Sequence, residues 1–273
     1  MLVTNTNTAS LVAQANLNKA GNALSKSFER LSTGSRINSA QDDPAGLAVS
    51  EGLKGNVRCL TQSNKNASNA ISMLQIADGA MGEMASILLR LNELATQGAN
   101  NDLSAAQRLA IGDEAATLTA EIDCISNVTK FNGIELLSES ATSLDFQVGP
   151  DAGASSKITI NWQHTSASTL GVDSLDFSSS EAASESLTAV IAAIDSLSAS
   201  RGTLGACANR MENAMANNTV TIQNLANANS LIRDTDVAEE TSTMTTQMIL
   251  SQAGAAVLAQ ANQAPQLALK LIE

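Results

Sequence analysis

TSTMTTQMILSQAGAAVLAQANQAPQLAL, residues 241–269, contains no Asp, Glu, Lys or Arg, although charged residues make up 15% of the chain. Ala, Gln, Leu and Met favour helices, so most of this segment is predicted to be helical. Small or neutral side chains occur around the whole circumference of that helix, which leaves it without a charged solvent face. Ser and Thr interrupt any apolar run long enough to cross a bilayer. The segment is therefore predicted to pack against other protein helices.

The opposite end of the chain has the same character. Residues 1–18, MLVTNTNTASLVAQANLN, are also uncharged, and the first charged residue is Lys19. Ordering the backbone costs about 1 to 2 kcal/mol per residue, and these Ala- and Asn-rich ends carry little apolar area to offset that cost. We expect both ends to be disordered in a free monomer and to fold against neighbouring subunits. The predicted polymerisation contacts are Leu11, Leu17, Leu24, Phe28, Ile249, Ala256, Val257, Leu258, Leu267 and Leu271.

The charge of the chain limits its partners. The net charge is −12 and aromatic residues make up only 2% of the sequence. An acidic chain is a poor ligand for nucleic acid or for an anionic membrane, so neither partner is expected, nor is membrane insertion. The first residues have neither a basic start nor a continuous apolar core, so no cleavable secretory signal is visible. Cytoplasmic residence and a non-Sec export route both remain open.

The sequence offers no chemistry typical of an enzyme. His164 is the only histidine and has no neighbouring nucleophile or carboxylate constellation, which excludes a catalytic triad and an HExxH peptidase motif. Cys59, Cys124 and Cys207 are far apart and match no metal-ligand spacing, so each is predicted to pack as a small hydrophobic residue. No catalytic residue, cofactor or metal is therefore expected.

Heptad spacing predicts long helices. A first helix over residues 10–33 has a seam of Leu17, Gly21, Leu24, Phe28 and Leu31 and ends at a capping glycine, Gly34. A second, from about Pro44 to Asn100, is capped by Asp43. One of its seam columns is strict, with Leu53, Leu60, Ala67, Leu74, Met81, Leu88 and Ala95. The other is mixed, with Val57, Asn64, Ile71, Asp78, Ala85 and Asn92.

The second half of the chain contains a hairpin signal and the longest seam. A third helix is expected from about Ser104 to Asn127, and alternating apolar residues near 142–165 predict a β-hairpin. A serine-rich surface loop follows over residues 165–180. The last seam consists of Leu187, Val190, Ile194, Leu197, Arg201, Leu204, Ala208, Met211, Met215, Asn218, Ile222, Leu225, Asn229 and Ile232. These patterns predict a mainly α fold, with long antiparallel helices in coiled-coil layers and a small β-hairpin region in the middle of the chain.

Three stretches resemble the bacterial flagellin family. They are LNKAGNALSKSFERLSTGSRINSAQDDPAGLAVSEGL at 17–53, FNGIELL at 131–137, and ANRMENAMANNTVTIQNLANANSLIRDTDVAEET at 208–241 with SQAGAAVLAQANQAPQ at 251–266. The resemblance implies a structural subunit that self-assembles into the helical flagellar filament for motility. It implies terminal segments 1–40 and 236–273 in an inner filament-core domain and a helical rod over 41–235. The chain is similar to a near-minimal member of the family. The alternative is a hook-filament junction protein or a minor filament subunit.

The resemblance also implies partners and a location. Type III export would deliver the chain to an extracellular flagellum, with an export chaperone on the C-terminal segment and cap and hook-junction proteins at assembly. In family members sensed by the vertebrate Toll-like receptor, an Arg, a Leu and a Glu contact the receptor, and Arg90, Leu94 and Glu114 match those positions. The alternative for these residues is packing between subunits.

Overall fold

The computed structural model describes the backbone of residues 6–270 and the side chains of residues 6–263. The helices are α1 (Thr8–Thr33), α2 (Pro44–Gly98), α3 (Ala105–Val128), α4 (Ala167–Leu170), α5 (Ser180–Arg233) and α6 (Val237–Lys270). The strands are β1 (Lys130–Phe131), β2 (Ile134–Glu135), β3 (Leu144–Gln147) and β4 (Lys157–Ile160). The prediction of a mainly α fold with a small β-hairpin region in the middle of the chain is confirmed.

The chain forms two compact units, and both boundaries lie inside long helices. The first unit combines Met1–Gly55 with Gln223–Glu273, and the second is Asn56–Ile222. The predicted divisions of the inner filament-core domain lie in the turns near residues 40 and 236, and they stay predictions. Those turns belong to the first unit, because the start of α2 and the end of α5 pack together there. The Ser50 hydroxyl donates to Asn229 Oδ1 at 2.7 Å.

In the first unit, α1 and α6 run antiparallel along each other. Near one end, Asn7 Nδ2 donates to the Ala261 carbonyl at 2.8 Å, and near the other Arg30 Nη1 lies 3.3 Å from Glu240 Oε2. A single β-bridge between Ser35 and Asp234 continues the pairing beyond both helices. The two ends of the sequence therefore share one environment, as their common lack of charge predicts.

Helix ends are capped where the sequence predicts. Gly34 follows α1 with φ 68°, a left-handed conformation that glycine adopts without steric cost. Asp43 Oδ1 accepts from the Gly46 N–H at 2.9 Å at the start of α2. Ser104 and Gln107 form a capping box at the start of α3. Arg108 then donates 2.6 Å hydrogen bonds to the Gly98 and Asn100 carbonyls, which satisfies acceptors at the end of α2.

The core of the second unit lies along α2 and α5. Its buried residues show that one column of each predicted seam is wrong. The strict α2 column is buried from Leu60 to Ala95. The second buried column is Ser63, Ala70, Ala77, Met84 and Leu91, one residue earlier than the predicted mixed column. In α5 the predicted column of Val190, Leu197, Leu204, Met211 and Asn218 is buried and extends back to Ala183, whereas Ser186, Ala193 and Ser200 replace the column that begins at Leu187.

The β-hairpin forms with the predicted strands. β3 and β4 are antiparallel, with Leu144 opposite Ile160 and Phe146 opposite Ile158. Successive carbonyls at the end of β3 accept hydrogen bonds from helical side chains: Gln147 from Asn66 on α2 at 3.2 Å, and Val148 from Asn218 on α5 at 2.8 Å. The hairpin is therefore fixed to both long helices by its backbone.

The prediction of a solvated serine-rich loop over residues 165–180 is wrong. This segment contains α4, and Thr165, Val172 and Phe177 are at most 3% exposed. The apolar members of the segment join the core of the second unit. The serine-rich composition of the segment does not indicate these few buried residues.

A second, shorter hairpin lies between α3 and β3, outside the hairpin region that the sequence analysis predicts. β1 and β2 pair with Lys130 opposite Glu135 and Phe131 opposite Ile134. Asn132 and Gly133 form the connection with φ angles of 49° and 81°. Positive φ at both central residues is typical of a type I′ turn, for which Asn-Gly is the strongest sequence signal.

Candidate assembly surface

The α1–α6 pair buries small side chains in its interior. The fully buried residues of α1 are Ser10, Ala13, Ala20 and Ser27. The half-buried residues of α6 that follow the same spacing are Met244, Gln247, Ser251, Gly254, Leu258 and Ala261. A Cβ added to Gly254 would lie 3.5 Å from Leu17 Cδ1, so the two helices approach closely at this level. Small interior residues permit this approach but provide little apolar burial.

The predicted polymerisation residues fall into two groups. Leu17, Leu24 and Leu258 are half-buried and belong to the interior of the pair. The outward group is exposed, with Leu11 at 56%, Phe28 at 52%, Ile249 at 61% and Val257 at 58%, together with Ala256. The Leu267 side chain and the whole of Leu271 lie outside the described residues. The first predicted seam includes Phe28 as an interior residue, and the exposure of its side chain corrects that prediction.

Further exposed apolar residues extend the outward group. Val12, Met248 and Leu250 are 60%, 39% and 51% exposed. Beside them is a groove of about 530 Å³ between α1 and α6, lined by Ala13, Asn16, Lys19, Ala20, Ala23, Gln247, Leu250, Ala253, Gly254 and Val257. Lys19 is the single charged residue of this lining. An apolar face and an apolar groove on one helix pair are suited to packing against further helices.

Charges are concentrated where α1 ends and α6 begins, away from the uncharged ends of the chain. Lys26 Nζ lies 2.6 Å from Asp42 Oδ1, and the Ser39 N–H donates to Asp42 Oδ2 at 3.1 Å. The Lys26 ammonium and these backbone donors hold the pKa of the Asp42 carboxyl well below its usual range. Glu240 is only 9% exposed and pairs with Arg30. These ion pairs fix the turn after α1 and the start of α6.

The three residues matched to the receptor contact are not all on the surface. Arg90 Nη2 lies 2.9 Å from Glu114 Oε1, and the two side chains are 49% and 46% exposed. Arg90 also pairs with Glu93, and the two carboxylates raise the pKa of the guanidinium, the hydrogen bond to Glu93 being the largest single cause and the hydrogen bond to Glu114 the next. Leu94 is only 2% exposed and lies in the core of the second unit. The prediction of Leu94 as a direct contact is therefore corrected, because α2 turns this side chain inward.

The cysteines are distributed differently from the prediction. Cys207 is half-buried and packs against the core, as expected of a small hydrophobic residue. Cys59 and Cys124 are exposed, so the expectation is wrong for both. Within the described part of the chain, no group of three His, Cys, Asp or Glu residues is arranged to hold a metal ion. No described helix is long and apolar enough to cross a membrane.

Comparisons with known proteins agree with the architecture. Residues 4–142 match the bacterial flagellin N-terminal helical region, and residues 187–272 match the bacterial flagellin C-terminal helical region. Flagellin from Bacillus subtilis (strain 168) is 39% identical over 302 residues, covering 98% of this chain and 99% of that protein. The flagellar filament 33 kDa core protein of Treponema phagedenis is 35% identical over 287 residues, covering 99% and 100%.

A solved structure extends the comparison to three dimensions. The crystal structure of Bacillus cereus flagellin superposes with a TM-score of 0.51 at 28% identity, covering 56% of this chain and 88% of that one. A helical protein whose terminal helices carry no charge over much of their length and are apolar on the outward face has the features of a filament subunit. The chain belongs to the bacterial flagellin family. It is a structural subunit that self-assembles into the extracellular flagellar filament, and the family is not an enzyme family.

Proposed function

We propose that the outward faces of α1 and α6 form the contacts that hold this subunit in the filament. The observation that carries the proposal is the row of exposed apolar residues on a helix pair without charges over much of its length. Contacts of this kind are heterologous and do not close, so they propagate along a helical lattice. Leu267 and Leu271 extend the same apolar character toward the end of the chain and remain predicted contacts. Segments 1–40 and 236–273 are accordingly assigned to the inner filament core.

The terminal helices gain their full stability on polymerisation. Ala13 and Ala20 are the only fully buried apolar residues within residues 6–33. Each such side chain contributes on the order of 1 kcal/mol, whereas each ordered residue costs about 1 to 2 kcal/mol in backbone entropy. The α1–α6 pairing supports ordering of both helices together, and contacts from neighbouring subunits supply the remaining burial.

Exposed apolar faces also account for the proposed partners before assembly. A chain with these faces uncovered tends to aggregate, so an export chaperone would cover the α6 segment in the cell. Passage through the type III apparatus, followed by addition beneath a cap and beyond hook-junction proteins, is the route that the family resemblance supports. A chaperone footprint outside α6 would contradict this assignment.

Arg90 and Glu114 remain the proposed contacts with the vertebrate Toll-like receptor. Their mutual ion pair presents both charges on one exposed face of α2 and α3. Leu94 acts only indirectly, by fixing α2 against the core. In a receptor reporter assay, Arg90→Ala is expected to lower the response, whereas Arg210→Ala, an exposed arginine on α5, leaves it unchanged. An unchanged response to Arg90→Ala would remove this proposal.

Seeded polymerisation tests the assembly surface. Purified chain would receive a precipitating salt and short filament seeds and be imaged by negative-stain microscopy. Wild-type chain is expected to form long uniform tubes, and Ala256→Asp is expected to stop elongation, because burying an unpaired carboxylate costs several kcal/mol. Ala152→Asp, which adds the same charge at an exposed position before β4, serves as the control.

Two outcomes would contradict the proposal. Normal tubes from Ala256→Asp would show that the outward face of α6 is not a tight contact. Persistent wild-type monomers, or a single layer added to the seeds, would favour a hook-filament junction protein or a minor subunit instead.

A further inference from the structure

The turn between β1 and β2 has an unusual backbone. Asn132 and Gly133 both have positive φ, and Asn132 is the only non-glycine residue in the described chain with this feature. The Asn132 side chain is exposed. A Cβ on Gly133 would meet nothing within 4 Å, so glycine is required here for its conformation rather than for space.

An asparagine followed by glycine can react with its own backbone. Glycine has no side chain to hinder its nitrogen, which attacks the side-chain amide carbon of the asparagine. A ring N–C bond forms, the bond to the amide nitrogen breaks, and ammonia leaves with the proton from the glycine nitrogen. Water then opens the succinimide ring at either carbonyl and gives aspartate or isoaspartate. Solvent water is the only co-reactant, and nothing is oxidised or reduced.

The folded hairpin opposes this reaction. Ring closure requires rotation about the Asn132 Cα–C bond away from the left-handed conformation that the turn imposes. The strand pairing resists that rotation, since Lys130 Nζ lies 2.8 Å from Glu135 Oε1 across the hairpin. The Ser138 hydroxyl donates to the same carboxylate at 2.5 Å, and the Leu136 N–H donates to the Thr129 carbonyl at 3.2 Å. The hairpin must therefore open before Asn132 can react.

We propose that Asn132 is a site of spontaneous deamidation that reacts in the unfolded chain and is protected by the β1–β2 hairpin. The consequence is structural. Isoaspartate adds one carbon to the main chain, so it does not fit a two-residue turn with this strand register. A chain that is modified before it folds carries a lasting chemical record of the time it spent unfolded. This inference is independent of the filament contacts.

The sequence provides a convenient internal reference. Cleavage after Lys and Arg releases peptide 131–157, in which Asn132 is the only asparagine, and peptide 109–130, in which Asn127 is the only one. Val128 follows Asn127 and hinders the same attack. The full chain would be incubated in native buffer and in concentrated urea at one mildly alkaline pH. Mass spectrometry would then follow the exchange of the amide NH₂ for OH in both peptides.

The expected result has two parts. In urea, Asn132 deamidates much faster than Asn127, and in native buffer the Asn132 rate falls by tenfold or more, each tenfold corresponding to about 1.4 kcal/mol of opening free energy. Equal rates for Asn132 in the two buffers would overturn the protection. A rate for Asn132 in urea no higher than that of Asn127 would overturn the site itself.

A pair of variants tests whether the hairpin controls the rate. Glu135→Gln removes the carboxylate that pairs with Lys130 and keeps the Asn-Gly sequence, so it is expected to raise the native rate several-fold and leave the urea rate unchanged. Glu181→Gln, at an exposed position at the start of α5, is the control and leaves both rates unchanged. An unchanged native rate in Glu135→Gln, with the fold intact by circular dichroism, would contradict control by this hairpin.

Discussion

Asn218 is expected to be a principal polar anchor between α5 and the β3–β4 hairpin. It is 7% exposed, and its Nδ2 donates to the Val148 carbonyl at 2.8 Å and to Asn64 Oδ1 at 3.1 Å. Asn218→Ala removes both donors and leaves the Val148 carbonyl without this partner. A buried acceptor that loses its hydrogen bond costs about 1 to 3 kcal/mol. The second unit is therefore expected to unfold about 2 to 4 °C lower for each kcal/mol lost.

The chain contains its own probe and a matched control for this prediction. Trp162 is the only tryptophan and is 6% exposed in the core of the second unit, so its fluorescence reports unfolding there. Asn217→Ala changes the same residue type on the same helix at an exposed position, so it reproduces the gain in helix propensity without loss of the anchor. If Asn218→Ala and Asn217→Ala unfold at the same temperature, the hydrogen bonds of Asn218 do not stabilise the unit.

Three further substitutions have defined outcomes. Leu94→Ala should lower the stability of the second unit by about 2 to 5 kcal/mol in a urea titration, and a loss near zero would show that this side chain is not in the core. Gly98→Val should destabilise the same unit, because a Cβ there would lie 3.0 Å from Phe177, whereas Gly79→Val, which faces open space, should not. Asp42→Asn should make the free energy of unfolding depend less on pH in acid. The ionised Asp42 carboxylate stabilises the fold fully above the ordinary carboxyl pKa of about 4, and this stabilisation is lost progressively as the pH falls toward the lower pKa of the folded state. A variant whose free energy of unfolding falls in acid as steeply as that of the wild type would contradict this role.

Much of the fold is predictable because helix caps and heptads are local signals. Gly34, Asp43 and Ser104 mark helix ends within a residue or two, and the alternation in β3 and β4 gives the correct strands. Each of these features depends on residues close together in sequence. The uncharged ends predict their shared environment because a missing charge on a helix is visible without knowledge of its neighbours.

The seams show where sequence reasoning fails. In α1, α2 and α5 one predicted column is displaced by one residue from the buried column, and at one position in each helix the predicted residue is the larger of the two neighbours. The predicted columns contain Phe28, Ile71 and Ile194, whereas the buried residues are Ser27, Ala70 and Ala193. Small residues at the interface let antiparallel helices approach closely, and the bulky neighbours then flank the seam. Spacing alone does not distinguish the two columns.

The proposed sites depend on the same distinction. Residue type identifies an apolar terminal helix, but only packing separates the interior Leu17 and Leu258 from the outward Val257. Leu94 is another example, since its match to a family position indicates nothing about the direction of its side chain. The Asn132-Gly133 turn was available from sequence, because Asn-Gly between apolar residues signals a hairpin.

Amide hydrogen exchange of α1 and α6, in the monomer and in seeded filaments, tests most directly whether these helices complete their burial on polymerisation. The small interior of the pair predicts rapid exchange over both helices in the monomer and strong protection in the filament, while residues 60–98 of α2 are protected in both. Strong protection of α1 and α6 in the monomer, equal to that of α2, would contradict the account.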